Sequence, residues 1–133
     1  AAFLGAVEPA RLDALRGLCV PVSAGVLKLD CAEHWPKSAL LVAAASQTPP
    51  ALTRCIDDLW RRLDRLGFAR ETRPFRPHVT LAREVPSMRA TLKWTTVEWP
   101  LSRVGLFQSV PGGSAARYRD ISGRDISGRD ISG

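Results

Sequence analysis

The run Arg76, Pro77, His78, Val79, Thr80, Leu81, Ala82, Arg83 gathers an imidazole, a hydroxyl and two guanidinium groups into one short stretch. Side chains alternate in direction along an extended strand. His78 and Thr80 therefore share one face with Arg76 in phase, while Val79 and Leu81 turn the other way into a core. An imidazole takes up and returns protons near neutral pH, and hydroxyl and guanidinium groups donate to anionic oxygens. That combination suits the handling of a phosphate. Pro77 opens the strand without needing a ladder donor and biases Arg76 towards an extended backbone. Arg83 is out of phase with His78 in a regular strand, so a shared phosphate requires a bulge or a strand end between them.

Such a strand needs elements that position it, and the hydrophobic pattern supplies an alternation of helices and strands. Residues 1–4 read as the end of a strand, and Pro9 starts a helix in which Leu12, Leu15 and Leu18 form an apolar stripe. Residues 22–29 and 39–45 read as two strands separated by a polar, Pro-containing turn over 30–38, with His34 in that turn. Pro49 and Pro50 introduce the strongest helix of the chain. Its Leu52, Ile56, Leu59, Trp60, Leu63 and Leu66 recur at helical spacing, Asp and Arg residues occupy the opposite face, and Gly67 ends it. Beyond the His78 strand, 86–90 read as a loop and 91–97 as strand-like. A long strand is expected over 98–109 with an irregularity near Ser102 and Arg103, then a turn at 111–114 and a strand around Tyr118. Trp60 and Trp99 are expected in the core. Trp94 and Trp99 carry faces able to stack on bases, but strand positions favour packing.

Nineteen Lys and Arg against thirteen Asp and Glu give a net charge of +6, which favours an anionic ligand such as RNA or a nucleotide. With 133 residues, 45% of them hydrophobic, the chain has enough apolar surface for one core and is neither fibrous nor disordered as a whole. No apolar run reaches membrane-spanning length and no secretory signal pattern is present, so no membrane partner is expected; a cytoplasmic location and a monomer are the accompanying expectations. Cys19, Cys31 and Cys55 are odd in number and form no CxxC pair, which reads as reduced, partly buried thiols. Cys31 and His34 make half a zinc motif with no second half, so neither a metal nor another cofactor is expected. Residues 119–133 are three copies of Arg-Asp-Ile-Ser-Gly. One apolar residue per copy cannot offset the entropy of ordering the segment, so 119–133 is expected to be a flexible tail on a domain spanning 1–118.

Together with Gly67, Phe68 and Phe75 before it, the run ending at Arg83 resembles the second motif block of the two-histidine phosphoesterases, which carry His-x-Thr-x motifs. Within that superfamily it is most similar to the RNA 2',3'-cyclic phosphodiesterases. Trp99, Leu101, Val104, Leu106, Phe107, Ser109 and Tyr118 resemble the family's closing strands, and Phe3, Leu4, Gly5, Ala6 and Val7 resemble the segment after its first motif. The resemblance implies an α+β fold, with two lobes of antiparallel-rich sheet and flanking helices around a central cleft. It also implies that the first strand and helix, with the first histidine, lie upstream of Ala1.

The activity so implied is hydrolysis of an RNA or nucleotide 2',3'-cyclic phosphate to a phosphomonoester, with no metal required. His78 would act as general acid or base, Thr80 as a donor to a phosphate oxygen, and Arg83 as a phosphate clamp. Arg76 is a second candidate for phosphate contact from strand phase alone. With one of the family's two histidines in the chain, severely impaired turnover is expected. Two other classes fit the same residues. One is an RNA- or nucleotide-binding module without turnover, whose affinity would fall steeply with salt; the other is an inactive fragment with an uncovered sheet edge.

Overall fold

The computed structural model describes residues 2–18, 20, 22, 25–89, 92–112 and 117–122. Along the chain run α1 (Pro9–Arg16), β1 (Gly25–Leu29), β2 (Cys31–Trp35), a 3₁₀ turn (Pro36–Ser38), β3 (Leu40–Ala44), α2 (Pro50–Arg65), β4 (His78–Ala82), β5 (Val97–Leu101), β6 (Phe107–Val110) and β7 (Arg117–Asp120). The architecture is α+β. All pairings are antiparallel, in a three-stranded sheet of order β2-β3-β4 and two-stranded sheets β1-β5 and β6-β7.

The α2 helix follows its sequence signals closely. Pro50 occupies the first turn, where the missing N–H has no helical partner to lose. At the other end Gly67 takes φ +84°, Phe68 N–H donates to Leu63 O at 3.0 Å, and Gly67 N–H to Asp64 O at 2.9 Å. These are the two bonds of a Schellman cap, and the cap turns Phe68 back onto the apolar stripe. Ile56, Leu59, Trp60 and Leu63 pack with Leu15 of α1 and with Phe68, and Phe75 leans on the same cluster. Phe75 thereby anchors the chain two residues before buried Pro77 and the start of β4.

A second cluster joins the sheets. Leu27 and Leu29 of β1 meet Ala43 of β3 and Ala45, with Val79 of β4 and Leu52 of α2 packed alongside. The β3–β4 ladder is extended at one end by Ala45 N–H donating to Pro77 O at 3.3 Å. The turn between β1 and β2 is held to the end of β3 by Asp30, whose carboxylate accepts from the backbone N–H of Ser46 at 2.8 Å and from its hydroxyl. Those two donors hold the Asp30 carboxyl below its ordinary range.

Several sequence expectations are corrected. Residues 31–35 form a strand and not a turn. All five are half-buried, and polar Glu33 and His34 lie on opposite faces, so no apolar alternation marks the element. Residues 2–4 form no strand, and the 91–97 segment becomes one only at Val97. The long strand expected over 98–109 is two strands separated at 102–106. Trp99 is 50% exposed and not in the core, although it sits opposite Leu27, because a two-stranded sheet has no third strand to flank the ring. Trp94 does pack, donating its indole N–H to Leu29 O at 2.9 Å. Strand β7 crosses position 118, so Arg119 and Asp120 of the first repeat copy are in a sheet. Ser122 Oγ accepts from Leu106 N–H at 2.7 Å. Cys19 and positions 123–133 lie outside the described residues.

Leu63 is 2% exposed at the centre of the helix cluster. Leu63→Ala is expected to lower unfolding free energy by about 3 kcal/mol. Arg65→Ala, on the exposed side of the same helix, should change it by under about 0.5 kcal/mol. Urea unfolding of the two variants checks this, and equal midpoints would remove the α2 stripe from the core.

Candidate functional site

Register across the three-stranded sheet decides which side chains meet. Ala44 of the central strand pairs with His78 on one side and Cys31 on the other, and Val42 with Thr80 and Glu33. Residues opposite one another share a face, so Cys31, Glu33, Trp35, Val42, Ala44, His78 and Thr80 line one side of the sheet. Val42 and Ala44 on the central strand are fully buried and small, which makes a low floor between the flanking strands. On the reverse face Ala43 and Val79 enter the second core cluster. His78 and Thr80 thus lie together as the alternation requires.

The β3–β4 ladder contains a bulge shortly before Arg83. Thr80 pairs with Val42 but Ala82 pairs with Leu41, so Leu81 is an extra residue on β4. One inserted residue inverts the alternation beyond it. Ala82 moves to the reverse face, and Arg83 follows it just past the end of β4. The chain then turns at Glu84, where φ is +58°. Val85 N–H donates to Ala39 O at 2.9 Å, and His34 Nε2–H donates to Val85 O at 2.6 Å. His34 therefore buttresses the exit of β4 from the reverse side of the sheet. It is a strand residue and not a loop residue, and it lies on the opposite face from Cys31. Among the described residues no cluster of three or more His, Cys, Asp or Glu side chains could hold a metal ion.

His78 is exposed, yet its ring is fixed. Its Nδ1 lies 2.8 Å from Arg76 O, and a carbonyl only accepts, so Nδ1 carries a proton and, in the neutral ring, Nε2 holds the lone pair. Trp35 packs on the imidazole with ring centroids 4.6 Å apart at 56°. The Arg76 side chain turns to Glu33 Oε1 and lies 5.8 Å from the Trp35 ring centroid. Glu33 Oε2 accepts the Trp35 indole N–H at 3.0 Å. That indole N–H, with the Arg76 guanidinium and the Cys31 thiol beside it, holds the Glu33 carboxyl below its ordinary range against the opposing effect of partial burial. Burial first, and Glu33 second, push the Cys31 thiol up; its Sγ sits 3.3 Å from Ala44 O, and the raised value keeps it protonated and unreactive.

Glu33 and Trp35 belong to the site and were not singled out by sequence reasoning. Their i, i+2 spacing is the signal that could have found them. Reading 30–38 as a turn removed the alternation that places both on the His78 face.

The fold is similar to solved phosphoesterases. A phosphoesterase crystal structure is 25% identical with a TM-score of 0.73, over 90% of this chain and 71% of that one. LigT of E. coli complexed with 3'-AMP is 26% identical with a TM-score of 0.69 over the same shares. Its complex with NADP+ is 25% identical with a TM-score of 0.70, covering 90% and 70%. No family model and no curated protein matches the sequence.

Because the folded value of Glu33 is depressed, its contribution to stability is complete above the unfolded carboxyl pKa of about 4.3. It is lost as pH falls through the folded value. The stability difference between the natural chain and Glu33→Gln should be constant from neutral pH down to about 5, then shrink. Denaturant melts at a series of pH values measure it. A difference that does not change in acid would mean that the carboxylate network is not formed.

Proposed function

We propose that this chain, which has the fold of the two-histidine phosphoesterases of the LigT type, opens the 2',3'-cyclic phosphate at the end of an RNA or nucleotide to give a phosphomonoester. The observation that carries the reading is the state of His78. Its Nδ1–H is committed to Arg76 O, leaving Nε2 as a basic nitrogen on the face it shares with Thr80. The binding of 3'-AMP and NADP+ by LigT supports a ligand carrying phosphate on ribose.

In this reaction the oxygen of water bonds to phosphorus and one phosphorus–ribose oxygen bond breaks. One proton leaves the water and one reaches the departing ribose oxygen. His78 Nε2 serves one of these transfers: as a base when neutral, as an acid when protonated. The Thr80 hydroxyl and the Arg83 guanidinium donate to the non-bridging oxygens, where charge builds in the transition state. Arg76 has a different role from the one its phase suggests. Its charge is already matched by Glu33, so it supports the imidazole through its carbonyl and leaves the phosphate to Arg83.

The chain's other histidine does not complete the relay. His34 is on the reverse face and bonded to Val85 O, so His78 is the one imidazole facing the site.

Hydrolysis of an oligonucleotide ending in a 2',3'-cyclic phosphate, with chelator present, tests the reading. His78→Ala is expected to remove about 100-fold or more of the rate, and Arg83→Ala to raise KM. Binding without turnover by the unsubstituted chain would instead identify a nucleotide-binding module. Neither binding nor turnover would refute both.

A further inference from the structure

We infer that Glu33 is a positioning residue for His78, because it grips the two groups that hold the imidazole in place. One is Trp35, whose ring packs on the imidazole and whose indole N–H is bound by Glu33 Oε2 at 3.0 Å. The other is Arg76, whose carbonyl accepts the imidazole Nδ1–H and whose guanidinium is bound by Glu33 Oε1. The catalytic part of this inference rests on the function proposed above.

An exposed imidazole held by a single hydrogen bond is free to turn, and water competes for its Nδ1–H. A ring against one side and a carbonyl at the edge remove that freedom only if both are themselves fixed. Trp35 lies at the end of β2, next to the exposed 3₁₀ turn. Arg76 lies outside any strand, before β4. Neither is held by a ladder of its own on both sides, so a bridge between them has a positional task. The carboxylate provides it by giving one oxygen to each, and strand alternation places Glu33 two residues before Trp35 on the same face. Glu33 is not a proton donor in the reaction. Its oxygens already accept from Trp35 and Arg76, with the Cys31 thiol 3.4 Å from Oε1, so it stays anionic. Pairing with Arg76 also keeps that guanidinium off the phosphate.

The test reads the tautomer of each histidine by long-range ¹H–¹⁵N NMR on the full chain, above the pH at which imidazole titrates. In the unsubstituted chain His78 should be the Nδ1–H tautomer and His34 the Nε2–H tautomer. In Glu33→Ala, His78 is expected to shift to a mixture of tautomers while His34, bonded to Val85 O, is unchanged and serves as the marker of an intact fold. Trp35→Phe keeps a ring and deletes the indole N–H, and should produce a smaller shift in the same direction. It decides the matter if Glu33→Ala disturbs His34 as well. On the cyclic-phosphate oligonucleotide, kcat of Glu33→Ala should fall by up to about 100-fold, with no rise in KM because the released Arg76 guanidinium is free to meet the phosphate. A His78 that stays purely Nδ1–H in both folded variants would overturn the inference. Absence of any turnover dependent on His78 would overturn the proposed function instead, and the tautomer result would still decide the role of Glu33.

Discussion

The register between β3 and β4 is the constraint on which the site depends. Ala44 opposite His78 and Val42 opposite Thr80 put the imidazole and hydroxyl on the open face, with Val79 in the core. A slip of one residue would reverse every side chain of β4, burying His78 and exposing Val79. The cost of burying an unpaired imidazole and uncovering a valine holds the register in place. Pro77 and Phe75 reinforce it from outside the strand, one bonded through its carbonyl to Ala45 and the other leaning on the helix cluster. The bulge at Leu81 then makes a second use of the same rule. It inverts the alternation once, so that Ala82 lies opposite Leu41 on the reverse face just before Arg83.

Charge is distributed unevenly across that face. Glu33 and Arg76 neutralise each other beside Trp35, so they contribute order and little net field. Arg83, past the end of β4, forms no ion pair among the described residues. The division gives each arginine one task. A guanidinium tied to a carboxylate is a rigid support for the carbonyl that holds His78, and an unpaired one can donate to an anion.

Much of this was legible in the sequence where a local rule and the tertiary environment agree. The α2 helix was marked by its apolar spacing, by proline at its start and by Gly67 at its end, and the structure adds only the Schellman bonds. The sharing of a face by His78 and Thr80 follows from period two alone, and the same period put Arg83 out of phase with them unless a bulge or a strand end intervened. Strand β2 was not legible, because Glu33 and His34 put polar groups on both faces and each finds its partner far along the chain, at Arg76 and Val85. The exposure of Trp99 was not legible either. Aromatic residues in a strand are usually covered, but that cover comes from neighbouring strands, which a two-stranded sheet lacks.

The location of the proposed chemistry follows from where the fold is most strongly supported. A two-stranded antiparallel pair is marginally stable alone, and β6-β7 leaves Phe107 and Tyr118 more than half exposed. The three-stranded sheet is different, with β3 buried on both faces at Val42, Ala43 and Ala44 and the reverse side packed against β1 and α2. Acid–base chemistry tolerates displacements of only about half an ångström. A side chain as exposed as His78 meets that tolerance when its backbone is bonded to the most buried strand and its ring is held by groups that are themselves bridged. Loosening of the exposed pairs would leave both conditions standing. Loss of the bridge at Glu33 would leave the backbone in place and release the ring, which separates the stability of the strand from the orientation of the group that it carries.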